Sequence, residues 1–246
     1  MVDQLAPYRP PRFIAGLDVG QMSDPSALTV LEREMRLWHG QLEPYFFAGH
    51  LERIPLQTPY PDMVKGVRQR LEAIGERCAL VIDATGVGRG VVDLFREGWT
   101  ESDPDTLQRI VLPGKPSIIA VTLTNGQQGH AESWDEQYVP KRDVITALLL
   151  ALQQQRFRAA ASLAEIPTLL NEAKNFQWKV SKAGDDLYGQ WREGKHDDLL
   201  LAVAVAVWYG DKYAPVSVSG QTQAKARGTG NPFVQRARQM AMSGRG

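Results

Sequence analysis

Cysteine is almost missing from this chain: Cys78 is the single one in 246 residues, which excludes an internal disulfide framework and suits a reducing compartment. Histidine is nearly as sparse. His39, His50, His130 and His196 stand far apart, and with one cysteine they make no zinc-ligand spacing. No apolar run is long enough to cross a bilayer, since the longest, Leu199 to Tyr209, covers only about three helical turns. The opening "MVDQLAPYRPPRF" lacks an apolar core of signal-peptide length. A phosphate-cradling loop is missing too: "PGKPS", Pro113 to Ser117, lacks the first glycine and has Pro116 where a hydroxyl is needed, and "GVGRG" lacks the lysine. These absences predict a cytoplasmic protein with no membrane partner and no nucleotide-driven motor of its own.

Net charge of one sign is also absent, with 28 basic and 28 acidic residues, but the balance is uneven along the chain. From Lys212 onward there are six basic residues and no acidic one. That stretch, rich in Gly, Ser and Gln, reads as a basic disordered tail that either touches nucleic acid or merely solubilises. The expected organisation is an N-terminal extension over 1–12, one folded domain over 13–212 and the tail over 213–246. A hydrophobic fraction of 43% is ordinary for a globular domain, and the length suffices for a full core.

The order of elements follows from periodicity. "RFIAGLDVG" is a short apolar run bounded by glycine, and "SALTVLER" and "PYFFAGHLERI" continue it as a hairpin and a third strand. Val64, Val67, Leu71 and Ile74 recur at helical spacing and predict a helix from about Tyr60 to Arg77. "CALVIDATG" is a buried strand and "GRGVVDLFREG" a helix; "RIVLP" and "SIIAVTLT" are strands, then "KRDVITALLLALQQQRF" and "AEIPTLLNEAKNF" are helices. "FQWKV" and "LYGQW" read as strand-like pieces before the final apolar helix. Three consecutive strands followed by alternation predict an α/β domain, a mixed sheet with helices on both faces.

Acidic residues occur where charge is costly. Asp18 interrupts one apolar run, Asp83 ends another, and Asp197 and Asp198 open the helix that is apolar all round. Each has an ordinary explanation alone: a turn residue, a loop start, an N-cap with a first-turn acid. Together they sit at strand ends and a helix mouth, where α/β sheets bind ligands. Carboxylates gathered there repel one another, and a hard divalent cation, Mg²⁺ or Mn²⁺, relieves that conflict with oxygen ligands. Two such ions can activate a water and stabilise the leaving oxygen of a phosphodiester.

This pattern resembles the RNase H-like superfamily, and within it the nuclease domain of the large terminase subunit of tailed bacteriophages. The residues that carry it are "GLDVGQMSDPSALTVLE", "LVIDATGVGRGVVDLF", "YVPKRDVITALLLALQQQRF" and "YGQWREGKHDDLLLAVAVAVW". The resemblance implies an RNase H-like mixed sheet and a two-metal DNA endonuclease. Asp18 would bridge the two ions, Asp83 would hold one and Asp198 the other, with Asp197 as its neighbouring candidate. It implies double-stranded DNA as substrate, with Lys141 and Arg142 meeting the backbone without reading sequence; Arg89, Lys195 and His196 are further candidates for phosphate contact. Its setting would be genome packaging in the bacterial host cell, beside a small terminase subunit and a portal. The departure is the missing ATPase motor, which predicts a separate packaging ATPase or a nuclease fragment.

Three rivals share parts of the pattern. The sugar kinase, actin and Hsp70 group shares the "LDVG" hairpin but needs a duplicated fold and further phosphate loops. A Holliday-junction resolvase shares the metal site but lacks the "VPKRD" segment. A non-catalytic packaging adaptor on the same fold would have no reason to keep all three acidic positions.

Overall fold

A computed structural model describes residues 11–20, 24–38, 40–74, 78–98, 100–102, 109–111, 116–126, 128–182 and 197–212. The first strand, β1 (Phe13–Asp18), is entirely buried. It pairs antiparallel with β2 (Ser26–Trp38), which pairs antiparallel with β3 (Gln41–Ile54), so the expected hairpin and third strand form and run longer than their apolar cores. On its other side β1 pairs parallel with β4 (Cys78–Asp83). Beyond β4 lie β7 (Ser117–Thr124) and β9 (Glu136–Pro140), both parallel, and then β8 (His130–Ala131), antiparallel. With β10 (Phe157–Ala159) on the opposite edge, the order is β10-β3-β2-β1-β4-β7-β9-β8. This mixed sheet, antiparallel on one side of β1 and parallel on the other, agrees with the mixed α/β sheet expected from the sequence. A short ribbon of β5 (Thr100–Ser102) and β6 (Arg109–Val111) pairs apart from it.

Helices cover both faces, as expected. Alternation along β1 sends Phe13, Ala15 and Leu17 to one face, where they meet α1 (Tyr60–Glu72) and α2 (Gly88–Gly98) through Val67, Leu71, Val91, Val92 and Phe95. Ile14 faces the other way, into a core built with α3 (Lys141–Gln153), α4 (Ile166–Lys182) and α5 (Asp198–Lys212). Every residue of α5 from Asp198 to Gly210 is buried, which is why its sequence shows no polar stripe. No helix among the described residues is long and apolar enough to cross a membrane.

Three expectations change. The first helix ends at Glu72 rather than Arg77, where the Ala73 amide donates to the Gln69 and Leu71 carbonyls. "FQWKV" is not a strand: it continues α4, where Phe176 extends the inward stripe begun by Leu169 and Ala173. "EQYVP", given no element in the sequence reading, is β9, buried at Gln137, Val139 and Pro140. "LYGQW", Lys195, His196, the 1–10 part of the N-terminal extension and the 213–246 tail lie outside the described residues.

Candidate metal and nuclease site

The position of the first two acids is a matter of register. Leu17 on β1 is paired with Ile82 on β4, so Asp18 and Asp83 are the next residues along two adjacent parallel strands. Alternation turns both toward the α5 face: Ile14 precedes Asp18 by four residues, Ala79 and Val81 precede Asp83, and all three face α5. Both acids are nearly buried, at 9% and 8% exposure. A tight loop fixes Asp83: its Oδ1 accepts from the Thr85 amide at 2.9 Å, and Thr85 Oγ1 accepts from the Leu123 amide at 2.9 Å. Gly88 lets α2 start directly over this loop, since a Cβ there would fall 1.9 Å from the Asp83 carbonyl oxygen.

The third element arrives by direct backbone contact. Gly16 of β1 lies against Ala202 and Ala206, and Gly210 lies against Ile14 and Phe46. The helix therefore runs antiparallel to β1, with its N-terminus at the strand's carboxyl end. One turn before Ala202 is Asp198, roughly 6 Å along the helix. Two residues beyond Gly16 is Asp18, roughly 6.6 Å along the strand. The matched spacings bring Asp198 to Asp18.

The charges of the cluster act on one another. Burial, and then the carboxylates of Asp83, Asp198 and Asp197 in decreasing order, push the Asp18 carboxyl well above its usual range, with Lys141 opposing them. Burial also raises Asp83, against hydrogen bonds from Thr85 and the charge of Lys141. Asp198, 5% exposed, accepts from Arg53 Nη2 at 3.2 Å. Asp197 Oδ2 stands 3.9 Å from Lys141 Nζ. Of the two neighbouring acids, Asp198 is the more deeply buried and presses harder on Asp18.

Two members of this environment were not singled out from the sequence. Arg53 lies on the α5 side because β3 carries an extra residue: Val30 pairs with His50 but Leu31 pairs with Ala48, leaving Gly49 as a bulge. Inward positions are even before it, as at Phe46 and Ala48, and odd after it, as at Leu51. The glycine in "FAGHL" is the available signal. Glu172 of α4, 4% exposed, accepts from the Leu200 amide at 2.8 Å. Its place on the stripe of Leu169, Ala173 and Phe176 marks it as an inward acid.

The remaining basic candidates are dispersed. Lys141 begins α3 and joins the carboxylates. Arg142 bonds its neighbour Asp143 at 3.3 Å. Arg89 is tied to Glu136 of β9 at 3.1 Å, where Arg96 also binds.

The donor set suits a hard cation. Its side chains offer only carboxylate oxygen, and the repulsion at Asp18 is what bound positive charge removes. Among the described residues no three acidic, histidine or cysteine side chains form a ready-made metal cage. Mg²⁺ does not need one, because it is held by one or two carboxylates, with waters and substrate phosphates completing its shell.

No protein-family model and no curated protein matches the chain. Among solved structures it is similar to the Mn-soaked terminase nuclease domain of human cytomegalovirus, at 11% identity and a TM-score of 0.45, over 85% of this chain and 89% of that one. It is similar to the large terminase nuclease of thermophilic phage G20c, at 17% identity and a TM-score of 0.44, over 80% and 81%. It is also similar to Thermus thermophilus RuvC, at 14% identity and a TM-score of 0.27, over 80% and 91%.

Proposed function

We propose that the protein is a divalent-metal-dependent endonuclease that hydrolyses phosphodiester bonds of double-stranded DNA during phage genome packaging. The observation that carries this reading is the convergence of Asp18, Asp83, Asp197 and Asp198 from two strands and the mouth of a helix at the carboxyl end of the sheet, where burial first and then the neighbouring carboxylates raise the Asp18 carboxyl. Structural acids are arranged to satisfy one another with cations or amides. Here, among the described residues, four carboxylates are flanked by two cations, Arg53 and Lys141.

Asp18, Asp83 and Asp198, with Asp197 beside them, are the residues that would hold Mg²⁺ or Mn²⁺, two ions in all. The bound metal supplies an activated water at neutral pH and stabilises the charge that develops on the leaving oxygen. The chain's own part is positioning. Thr85 holds the Asp83 carboxylate, and Arg53 holds that of Asp198. The buried body of α5 keeps Asp198 from drifting with solvent. Lys141 moderates the negative field where a phosphate must approach. Arg142 and Arg89, exposed on the same protein, and Lys195 and His196 before α5 are the candidates for backbone contact. Such contacts give affinity that falls steeply with salt and carries little sequence preference. A separate packaging ATPase, a small terminase subunit and a portal, in the host cytoplasm, complete the setting of this reading.

A substrate panel tests it: linear duplex, supercoiled plasmid and a four-way junction, each with Mg²⁺, Mn²⁺ or EDTA. Metal-dependent cutting of duplex and plasmid is expected. Cutting confined to the junction would replace the packaging role with a resolvase, and metal-dependent binding without any cutting would point to the adaptor.

A further inference from the structure

The geometry points to Glu172 as a positioning residue that fixes the first turn of α5, and through it Asp198, by capping the helix from α4. This inference deepens the nuclease reading and rests on it for its functional meaning. The first turn of a helix presents amides with no partner inside the helix, and a side chain from the residue just before it ordinarily accepts one of them. In α5 the Asp197 carbonyl accepts from the Leu201 amide, which makes Asp197 the cap residue and Leu200 the third helical position. The Leu200 amide, which a capping Asp197 side chain would normally take, instead donates to Glu172 Oε2 at 2.8 Å, across a sequence separation of 28 residues.

The acceptor for this amide therefore comes from another helix, while the carboxylates of the cap region, Asp197 and Asp198, act on Asp18. Glu172 suits that task. It is 4% exposed, and its second oxygen, Oε1, is buried with no hydrogen-bond partner among the described residues. A buried carboxylate so placed is costly. Leu169 and Phe176 on the same stripe are apolar. The carboxyl is pushed up to about 7, by burial first, with the Leu200 amide and Arg53 opposing and Asp198 and Asp197 adding to the rise. The group is therefore held at this helix end at a cost, and what it supplies there is a fixed start for α5.

The test uses the full chain and two substitutions. Glu172→Leu removes the acceptor, and Glu172→Gln keeps an acceptor of the same shape without the charge. Mn²⁺ binding is read by calorimetry, Leu200 amide protection by hydrogen exchange, and plasmid cleavage as a split between kcat and KM. Glu172→Leu should lose Leu200 protection, weaken Mn²⁺ binding about tenfold, and lower kcat by a similar factor, in the range seen when a group behind a metal ligand is removed. KM for DNA should stay within about twofold, and Glu172→Gln should recover Mn²⁺ affinity to within about threefold, since a hydrogen-bonding cap needs an acceptor rather than a charge. A folded Glu172→Leu protein with unchanged Leu200 protection overturns the inference. So does a Glu172→Gln protein with a tenfold loss of Mn²⁺ affinity, which decides the matter even where Glu172→Leu does not fold. Wild-type protein that binds no Mn²⁺ would overturn the nuclease reading instead, and Leu200 exchange would still decide the cap.

Discussion

Gly16 packs against the carbonyl oxygen of Ala202 so closely that a Cβ on the glycine would lie 1.9 Å from it. That contact sets how far α5 sits from β1, and therefore how near Asp198 comes to Asp18. Because the obstruction is backbone rather than a flexible side chain, Gly16→Ala must displace a strand or a helix. Overpacking of this kind costs about 3 kcal/mol, which for a chain of this size lowers Tm by roughly 10 °C. Thermal unfolding should show that loss, and Mn²⁺ affinity measured well below Tm should fall with it. A variant with wild-type Tm would mean the helix does not rest on this glycine.

Asp18 and Asp83 should weaken the metal-free protein that they serve. Both carboxyls are raised by burial, and Asp18 also by its three acidic neighbours. Neutralising either removes a buried charge without changing shape. Asp18→Asn and Asp83→Asn should each raise Tm by a few degrees in EDTA while removing cleavage, the usual opposition between stability and a functional site. Differential scanning calorimetry in EDTA checks the first half. A lower Tm for both variants would show that the carboxylates are structural.

The pH dependence of stability has a definite sign. Glu172 titrates near 7 in the folded chain, raised from an ordinary 4.5 by burial, with Asp198 and Asp197 adding to the rise and the Leu200 amide and Arg53 working against it. The folded state thus holds a proton that the unfolded chain releases. The associated stability is complete below about pH 4.5 and is lost as pH rises through about 7. In EDTA, Tm should fall between those values, apart from the opposite trend of the exposed carboxylates, and the fall should be shallower in Glu172→Gln. Equal slopes for the two proteins would contradict the assignment.

At the opposite end of α5, Arg156 provides a contrast. It is 3% exposed and bonds Asp211 at 2.8 Å, the Pro44 carbonyl at 3.0 Å and Gln154 at 2.7 Å. Asp211 is partly exposed, so the pair is worth less than a fully buried one. Arg156→Met should cost about 2 kcal/mol through the carbonyl and carboxylate it leaves behind. Urea unfolding should show that cost with Mn²⁺ affinity unchanged. Equal damage to both would mean that destabilising α5 anywhere perturbs the site.

The parts of this site that could be read from the sequence share one property: they are charges set inside apolar runs. Asp18 in "FIAGLDVG", Asp83 after "ALVI" and Asp198 before "LLLAVAVAVW" stand out because each interrupts or borders a run of apolar residues. Arg53 does not, since it follows His50 and Glu52 in an alternating strand pattern, and its side depends on a bulge at Gly49 that shifts the alternation. Glu172 sits on a helix with many polar neighbours, where only three-dimensional packing distinguishes an inward acid from a solvated one. The strand "EQYVP" was hidden for a related reason. Its Glu136 is paired with Arg89 and Arg96, so it carries charge where a strand pattern would show an apolar residue.

The most direct measurement is nicking and linearisation of supercoiled plasmid by wild-type protein and Asp18→Asn, in Mg²⁺, Mn²⁺ and EDTA. Wild type should cut in at least one of the two metals and not in EDTA, and Asp18→Asn should lose at least about 10³-fold. Cutting that survives EDTA, or that Asp18→Asn leaves intact, would contradict the nuclease reading.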